Sequence, residues 1–347
     1  MPRFGIILGM KDKSKNLRAI ILAGGSGERF WPLSTPERPK QFLKIFGGKS
    51  LIRQSVERLA GFVGNDDVFV VTSGALAAAT RRELPEIPSA NIVGEPMRRD
   101  TGAAVALGVA KAAAGAAGDP VLAFFPADHL ITRPAAFRAA LRNAVAKAKS
   151  VDTIVTLGIR PDRPATGYGY VDPQSGQFFE KPSVEKARSY LKRGFLWNAG
   201  MFIARASVFR NAFETHAPGL RDVFAACGEG RISVAGLKKL YLSLPRISFD
   251  YAVMEKLPRV EVVPVDCGWD DVGGYAAFDR HFPHDANGNV LAGECRLVDA
   301  EGNICVSRGA CISLLGVKNL VVVATRDSVL VVDKSRAGDM KLLFKAK

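Results

Sequence analysis

Residues 22–40 read LAGGSGERFWPLSTPERPK and combine two kinds of group that bind phosphate. Gly24, Gly25 and Gly27 leave backbone N–H groups uncovered, because glycine has no side chain to shield them. Basic side chains lie in the same loop: Arg29, Arg38, Lys40 and Lys44. Uncovered N–H groups and several cations together suit an extended triphosphate that is bound from several sides.

Two common nucleotide-binding loops do not fit this segment. The dinucleotide fingerprint G-x-G-x-x-G needs a third glycine, and Phe30 stands at that position. The loop G-x-x-x-x-G-K-[ST] finds its end in GKS (48–50), but Leu43 replaces its first glycine. The nucleotide would therefore be bound by a loop of another kind.

The loop between the first strand and the first helix is long, covering residues 24–49. Three prolines prevent regular structure in it, namely Pro32, Pro36 and Pro39. Loops of this length inside compact domains are usually functional. A disordered basic loop is the alternative, which the stiffness of three prolines disfavours.

Two acidic segments are candidates for a metal site. Asp128 ends the strand-like run PVLAFFPAD (120–128); its alternative role is to cap the helix after Pro134. The segment VVPVDCGWDDVGGY (262–275) carries three aspartates, namely Asp266, Asp270 and Asp271. Mg²⁺ takes one or two carboxylates together with phosphate oxygens. Asp128 with either Asp270 or Asp271 would supply such a pair.

Two segments in the middle of the chain suit a second substrate. TGYGY (166–170) is a turn of glycines and aromatic residues that lets backbone approach a ligand. Glu180 and Lys181 place a hydroxyl acceptor beside a phosphate partner, although such a pair alone usually forms a surface turn. WNAG (197–200) is ambiguous by itself. The four histidines show neither triad nor zinc spacing.

Strand-like and helical segments alternate over the first half of the chain. The strand-like runs cover 18–23, 67–73, 90–95, 120–128 and 152–159, and the helical stretches lie near 50–61, 74–83, 101–116 and 135–149. Apolar strands that alternate with helices predict an α/β fold with a mixed, mainly parallel, Rossmann-like sheet covered by helices on both faces. Such sheets bind ligands at the carboxyl ends of their strands.

The residue composition of the chain changes after about residue 285. Residues 289–334 are rich in Val, Leu, Ile and Gly, with recurring turns, which predicts a small all-β region. The spacing of the turns weakly suggests a β-helix. We therefore predict a basic N-terminal extension (1–16), a catalytic domain (17–284) and a β-rich domain (285–347).

Composition narrows the class of protein. The 347 residues are 48% hydrophobic and carry a net charge of +14. Residues 1–58 hold twelve Lys/Arg and four Asp/Glu, which indicates an anionic partner. The sequence contains no recognisable nucleic-acid-binding motif and no apolar run of about 18 residues that would span a bilayer. Five scattered cysteines suggest reduced thiols, so we expect a cytoplasmic protein without membrane or nucleic-acid partners.

Taken in order, these motifs resemble those of the sugar-1-phosphate nucleotidyltransferases, and more narrowly the bacterial mannose-1-phosphate guanylyltransferases. The resemblance covers about residues 17–335, and its first motif is highly specific. It rests on LAGGSGERFWPLSTPERPKQFL (22–43), GEPMRRDTGAA (94–104), FFPADHLI (124–131), TGYGYV (166–171), FFEKPS (178–183), WNAGMFIARASVF (197–209), SFDYAVMEK (248–256) and VDCGWDDVGGY (265–275). No isomerase domain is expected, as in the short form of the family.

The resemblance implies a nucleotide-diphospho-sugar transferase fold and a specific reaction. The phosphate of mannose 1-phosphate attacks the α-phosphorus of GTP in line, and pyrophosphate leaves. Arg29, Lys40, Asp128 and Asp271 would be catalytic, and the two aspartates would hold Mg²⁺, with Mn²⁺ a possible substitute. The nucleotide-binding residues would be Leu22, Ala23, Gly24, Gly25, Gly27, Glu95, Arg99, Asp100 and Gly102. The sugar-phosphate-binding residues would be Gly167, Gly169, Glu180, Lys181 and Asn198.

The sequence departs from the family pattern at several positions. Asp100 and Gly102 replace the Asn and Ala that usually follow the Glu-Pro pair, Asp270 replaces the usual Asn, and Cys267 stands where Ala is common. Three alternatives remain open: another nucleotide or sugar specificity, a catalytically silent regulator that binds GDP-mannose, and, against the evidence of Phe30, an NAD-dependent oxidoreductase. A homodimer is possible.

Overall fold

The computed structural model describes residues 16–25, 27–228 and 232–344. All of the predicted N-terminal extension except residue 16 lies outside the described residues. The strands are β1 Leu17–Ala23, β2 Val68–Ser73, β3 Ile92–Glu95, β4 Val121–Pro126, β5 Leu130–Ile131, β6 Val155–Ile159, β7 Tyr170–Val171, β8 Phe178–Phe179, β9 Leu196–Arg205, β10 Glu261–Val265, β11 Trp269–Asp270, β12 Val290–Ala292, β13 Cys295–Val298, β14 Ile304–Ser307, β15 Ile312–Leu315, β16 Leu320–Ala324 and β17 Val329–Asp333. The α-helices are α1 Leu51–Glu57, α2 Ala77–Glu83, α3 Asp100–Ala113, α4 Pro134–Ala148, α5 Val184–Lys192, α6 Ala206–His216, α7 Asp222–Gly228, α8 Val234–Ser243, α9 Phe249–Ala252 and α10 Ala276–His281.

The main sheet confirms the predicted mixed, mainly parallel arrangement. Its strands follow the order β10-β6-β9-β4-β1-β2-β3. β1 pairs in parallel with both β2 and β4, β2 with β3, and β10 with β6. β9 is antiparallel to β4 and β6. The predicted strands near β1, β2, β3, β4 and β6 all form, whereas β9 was not identified as a strand from the sequence.

Each strand divides its side chains between two apolar layers, because successive side chains point to opposite faces. In β1, Ile20 packs under α3, and Ile21 packs on the other face with α1 and α4. α3 approaches the sheet closely: a Cβ at Gly108 would lie 2.8 Å from the ring of Phe124. The small residues of this helix therefore allow a contact that larger residues would prevent.

The region after α10 is built mainly of parallel strands that pair with every second strand of the sequence. β12, β14 and β16 form one sheet, which the antiparallel β17 extends, and β13 pairs with β15 in another. At one corner Asn303 donates to Val317 O, and its backbone N–H and side-chain amide donate to Asn289 Oδ1. This confirms a C-terminal all-β region; the boundary at residues 284 and 285 stays a prediction.

A shared apolar core joins this region to the long loop after β1. It contains Phe30 and Leu43 from the loop, Phe278 from α10, and Ile304 and Val321 from the C-terminal strands. None of the helices in the described part of the chain is long and apolar enough to cross a membrane.

Candidate active site

The loop after β1 folds back onto the end of that strand. It forms two single 3₁₀ turns, Glu28–Phe30 and Lys40–Phe42. Gly27 has a φ of +65°, and a Cβ there would lie 2.5 Å from Lys40 N, so glycine is required. Gln41 Nε2 donates to Ala23 O at 2.9 Å. These contacts bring the glycines and Lys40 to one place, although 13 positions separate Gly27 from Lys40 in the sequence.

Phe30 fixes the loop to the apolar core of the protein. Its side chain is fully buried, and its ring meets the edge of Tyr275 with centroids 5.4 Å apart. Tyr275 donates its hydroxyl proton toward the carbonyls of Phe30 and Trp31, at 2.9 and 3.1 Å. The residue that broke the dinucleotide fingerprint is therefore a core residue, and it fixes the backbone next to Arg29.

A cavity of about 340 Å³, here called the basic cavity, brings together all four residues predicted to be catalytic. It is lined by Arg29, Lys40, Asp128 and Asp271, together with Gly25, Gly27, Glu28, Phe30, His129 and Gly273. Lys40 Nζ donates to Asp128 Oδ2 at 2.8 Å and to the backbone carbonyl of Asp271 at 2.6 Å. One ammonium group thus ties the ends of β4 and β11 to the loop.

The electrostatics of this cavity keep Asp128 charged and His129 neutral. Burial alone would raise the pKa of Asp128, but the charge of Lys40 and its hydrogen bond outweigh burial and lower that pKa. Burial lowers the pKa of His129 to about 4. The indole N–H of Trp269 donates to His129 Nδ1 at 3.0 Å, so the ring carries its proton on Nε2. Asp128 does not cap α4, whose N-cap residue is Arg133.

The structure distinguishes the neighbouring carboxylates Asp270 and Asp271. Asp270 is buried, accepts from Arg280, His281 and the backbone N–H of Val272, and has a lowered pKa because these bonds outweigh burial. Val272 has a φ of +48°, a rare conformation for a β-branched residue. The turn held by Asp270 therefore directs Asp271 into the basic cavity. Asp266 pairs with Arg133 and is largely exposed.

The residues of the basic cavity fit a divalent cation. Asp128 and Asp271 both line it with carboxylates, and Mg²⁺ typically takes two such ligands and completes its shell with phosphate oxygens and water. Across the residues that the structure describes, no group of three or more His, Cys, Asp or Glu side chains is arranged to hold a metal by itself. The donor set thus suits a metal that arrives with a polyphosphate.

A second cavity of about 610 Å³, here called the wide cavity, continues from the basic cavity through Gly25, Asp128 and His129. It lies at the carboxyl ends of β1 and β3 and has a volume typical of small-molecule sites. The predicted nucleotide residues that line it are Leu22, Ala23, Gly24, Gly25, Glu95, Arg99 and Asp100. Gly102 was also predicted to bind the nucleotide, but it does not line the cavity, and its N–H donates to Ile247 O at 3.0 Å.

Glu95 and Arg99 differ in what they offer to a ligand. Burial raises the pKa of Glu95 to about 7, and Tyr241 donates to Glu95 Oε1 at 3.3 Å. Arg99 donates to the carbonyls of Tyr241 and Leu242, at 2.6 and 3.1 Å, so its guanidinium supports the wall. Glu95 therefore presents a buried carboxyl group to the cavity, whereas Arg99 holds the chain that carries Tyr241.

Most of the residues predicted to bind the sugar phosphate also come together. A Cβ at Gly169 would lie 2.7 Å from Glu180 Oε2, and the backbone N–H of Asn198 donates to Gly169 O at 2.8 Å. Lys181 pairs with Glu180, whose side chain is only 5% exposed. The Glu-Lys pair is therefore not a simple surface turn. Gly167 is exposed on the same turn, and nothing lies within 4 Å of where its Cβ would be.

Asp250 belongs with these residues and was missed in the sequence analysis. It lines the wide cavity and accepts from Asn198 Nδ2 at 3.1 Å. Burial, and then the charge of Glu180, raise its pKa to about 7. Its segment SFDYAVMEK carried the resemblance, but a lone Asp next to a buried Phe249 gave no separate signal. Gly169, Glu180, Lys181, Asn198 and Asp250 are called the Glu180 cluster below.

Comparison with known proteins agrees with this geometry. The family model described as nucleotidyl transferase matches residues 18–288, and the one described as mannoseP isomerase/GMP-like beta-helix domain matches residues 293–346. A mannose-1-phosphate guanylyltransferase of Escherichia coli is 35% identical, with 94% of this chain and 72% of that protein covered. The xanthan biosynthesis protein XanB of Xanthomonas campestris is 37% identical, with 93% and 71% covered.

Solved structures give the same result. The mannose-1-phosphate geranyltransferase of Thermus thermophilus superposes with a TM-score of 0.86 at 37% identity, covering 95% of this chain and 98% of that one. Sequence and fold thus agree over nearly the whole length of the chain. It belongs to the mannose-1-phosphate guanylyltransferase family of nucleotidyl transferases, and it is an enzyme of the nucleotidyltransferase class.

Proposed function

We propose that this enzyme transfers GMP from GTP to α-D-mannose 1-phosphate, forming GDP-mannose and pyrophosphate. The observation that carries the proposal is the continuity of the basic cavity, with Arg29 and Lys40, and the wide cavity, with Glu95 and Asp250. A triphosphate, a base and a sugar phosphate would each find complementary groups there. Relatives named for guanylyl transfer to mannose 1-phosphate, and for xanthan and alginate biosynthesis, support this substrate pair and a role in polysaccharide synthesis.

In this proposal the basic cavity binds the triphosphate of GTP. The N–H groups of the loop after β1 face the phosphates, and Arg29 and Lys40 neutralise the charge that develops on the departing pyrophosphate. Lys40 would exchange its bond to Asp128 for one to a phosphate oxygen. Asp128 and Asp271 would hold Mg²⁺, which withdraws charge from the phosphate oxygens when it is bound.

The wide cavity would receive guanine. The ring N–H and the exocyclic amino group of guanine are donors, and the carboxylate of Glu95 is an acceptor buried in the wall. Arg98 and Arg246 also line this cavity, and neither was assigned a role from the sequence. A base that presents acceptors where guanine presents donors would offer Glu95 no hydrogen bond, and Tyr241 would remain its partner, which disfavours that base.

The Glu180 cluster would bind mannose 1-phosphate. Glu180, Asn198 and Asp250 would accept or donate hydrogen bonds with the sugar hydroxyls, and Lys181 would pair with the phosphate. The contribution of these groups is to hold the attacking oxygen in line with the α-phosphorus, so that a reaction between two molecules proceeds within one bound complex. No side chain of the protein acts as a nucleophile in this scheme.

The test is a substrate panel of GTP, ATP, UTP and dTTP, each with mannose 1-phosphate and with glucose 1-phosphate. Pyrophosphate release is measured with Mg²⁺, and again after chelation with EDTA. We expect the fastest release with GTP and mannose 1-phosphate, and its loss on chelation. Faster release with any other pair would overturn the assigned specificity, and full activity in EDTA would remove the metal from the mechanism.

A further inference from the structure

A hydroxyl group outside the predicted site contacts Asp271. Tyr168 donates its phenolic proton to Asp271 Oδ1 at 2.8 Å. Tyr168 lies in the turn between β6 and β7, 103 positions before Asp271 in the sequence. This hydrogen bond occupies one carboxylate oxygen and restricts rotation of the carboxylate about its bond to the chain.

The other side of the Asp271 carboxylate is also confined. A Cβ at Gly273 would lie 3.1 Å from Asp271 Oδ2 and 3.3 Å from Arg29 Nη1, so a side chain there would crowd both groups. The same point lies 3.4 Å from Asp271 Oδ1, so the whole carboxylate lies beside Gly273 while its Oδ1 accepts from Tyr168. The orientation of this carboxylate is set by its surroundings before any ligand binds.

The phenol ring of Tyr168 is itself held in place. Trp197 and Trp269 pack against it edge to face, with ring centroids 4.9 and 5.4 Å away. Arg163 Nη2 donates to the Tyr168 hydroxyl at 3.4 Å. A hydroxyl that accepts from a cation becomes a better donor, so Arg163 strengthens the bond from Tyr168 to Asp271.

We propose that Tyr168 is a positioning residue that orients the Asp271 carboxylate toward the divalent cation and phosphates of the basic cavity. The inference rests on the proposed function for the identity of the reaction. Residues that orient metal ligands through hydrogen bonds typically change metal affinity or activity by about 10- to 100-fold when they are removed. Tyr168 lines neither the basic cavity nor the wide cavity, so its proposed role is exerted through Asp271.

The test is Tyr168→Phe, which keeps the ring between the two tryptophans and removes only the hydroxyl. The matched control is Tyr170→Phe at the start of β7, two positions along the chain, since the Tyr170 hydroxyl donates to Ala165 O at 2.9 Å rather than to Asp271. Mn²⁺ binding to each purified protein is measured by electron paramagnetic resonance in the presence of pyrophosphate, which supplies the phosphate oxygens that complete the metal shell. The Mg²⁺ concentration for half-maximal activity is measured in parallel.

We expect Tyr168→Phe to weaken Mn²⁺ binding by about tenfold or more and to raise the Mg²⁺ requirement, with an unchanged melting temperature. Tyr170→Phe should match the wild type in both measurements. In an Asp271→Asn background, Tyr168→Phe should have no further effect on Mn²⁺ binding. Wild-type Mn²⁺ affinity in Tyr168→Phe, or an equal loss in Tyr170→Phe, would overturn the proposal.

The Mn²⁺ measurement also separates this inference from the proposed function. It needs no sugar phosphate and no nucleotide, so it gives a result even if the substrate panel favours another pair. A wild-type protein that transfers GMP while its Mn²⁺ affinity is insensitive to Tyr168 would leave the proposed function intact and refute the role of Tyr168. Failure of the wild type to bind Mn²⁺ in the presence of pyrophosphate would refute both the metal site and the positioning role.

Discussion

The basic cavity and the Glu180 cluster each contain one carboxylate with a shifted pKa, and the two shifts have opposite directions. In the basic cavity, Lys40 lies 2.8 Å from Asp128 and lowers its pKa despite burial. In the Glu180 cluster, Asp250 lies near a second carboxylate, and its pKa rises to about 7. Asp128 is therefore charged at neutral pH. The Glu180 cluster holds a carboxylate that is unfavourable when ionised and that gains most from a ligand.

The largest effect is expected from removal of the charged carboxylate of the basic cavity. Asp128→Ala removes a proposed metal ligand and one of the two acceptors of the Lys40 ammonium, which keeps its bond to the backbone carbonyl of Asp271. Because the loss of a single stabilising group in a transition state costs about 10²- to 10³-fold, we expect kcat to fall by at least about 10³-fold when both functions are lost. Steady-state pyrophosphate release measures kcat, and circular dichroism should show an unchanged fold.

Asp266→Ala is the matched control for Asp128→Ala. Asp266 is an acidic residue whose side chain is 81% exposed and pairs with Arg133 on the surface. Its removal should leave kcat within about twofold, because exposed ion pairs contribute little to stability. Near-wild-type activity of Asp128→Ala would remove Asp128 from the catalytic group.

An intermediate effect is expected from the single cation of the Glu180 cluster. Lys181→Gln removes the proposed phosphate partner but keeps a side chain of similar length. We expect KM for mannose 1-phosphate to rise by about 10- to 100-fold, corresponding to roughly 1.4–2.8 kcal/mol, with little change in KM for GTP. Lys186→Gln, on the exposed face of α5, is the control and should change neither constant. An equal rise in both KM values would contradict a role confined to the sugar phosphate.

The smallest effect is expected on the stability of the folded protein and on how that stability depends on pH. The folded pKa of Asp250 lies above its ordinary value of 3.8, so folding is favoured by its protonated form. This contribution is full below pH 3.8, is lost as the pH rises, and is gone above about pH 7. Asp250→Asn keeps an oxygen acceptor for Asn198 and cannot ionise. It should therefore be more stable than the wild type at about pH 8, and the two should converge near pH 4.

The measurement is the melting temperature across this pH range. One pKa unit corresponds to about 1.4 kcal/mol, and large domains change their melting temperature by roughly 2–4 °C per kcal/mol. We expect Asp250→Asn to melt at least about 3 °C above the wild type at about pH 8. Asp266→Asn should show no such difference. A lower melting temperature for Asp250→Asn under the same conditions would show that Asp250 is not held in an unfavourable ionised state.

The sequence predicted the parts of the site that depend on local pattern. Gly24 was placed at the end of β1 and Asp128 after β4, because each follows an apolar run in the sequence. The end of a buried strand is marked by the end of such a run. The strand β9 was missed because Asn198 and Gly200 interrupt its apolar run. Its place in the centre of the sheet depends on pairing with β4 and β6, which no local signal reveals.

Contacts over long sequence distances account for the rest. The sequence alone does not show which of Asp270 and Asp271 faces the basic cavity. Asp270 is directed away from it because α10 places Arg280 and His281 within hydrogen-bond distance of its carboxylate. The contact from Tyr168 to Asp271 requires the turn after β6 to approach β11. Hydrophobic pattern does not encode which polar side chain meets which across the fold, so the resemblance supplied residue roles that local pattern could not.

The fully buried ring of Phe30 has a consequence for how the chain can be divided. Phe30 shares its core with Ile304 and Val321 and adjoins Arg29, and the terminal 3₁₀ segment Lys334–Phe344 contacts Glu28–Phe30. The regions of the chain that match the two family models therefore pack together beneath the loop after β1. Removing the C-terminal strands would expose the apolar underside of that loop to water. We therefore expect a truncated enzyme to lose the proposed affinity for GTP while its central sheet persists, because the C-terminal region supports the loop after β1.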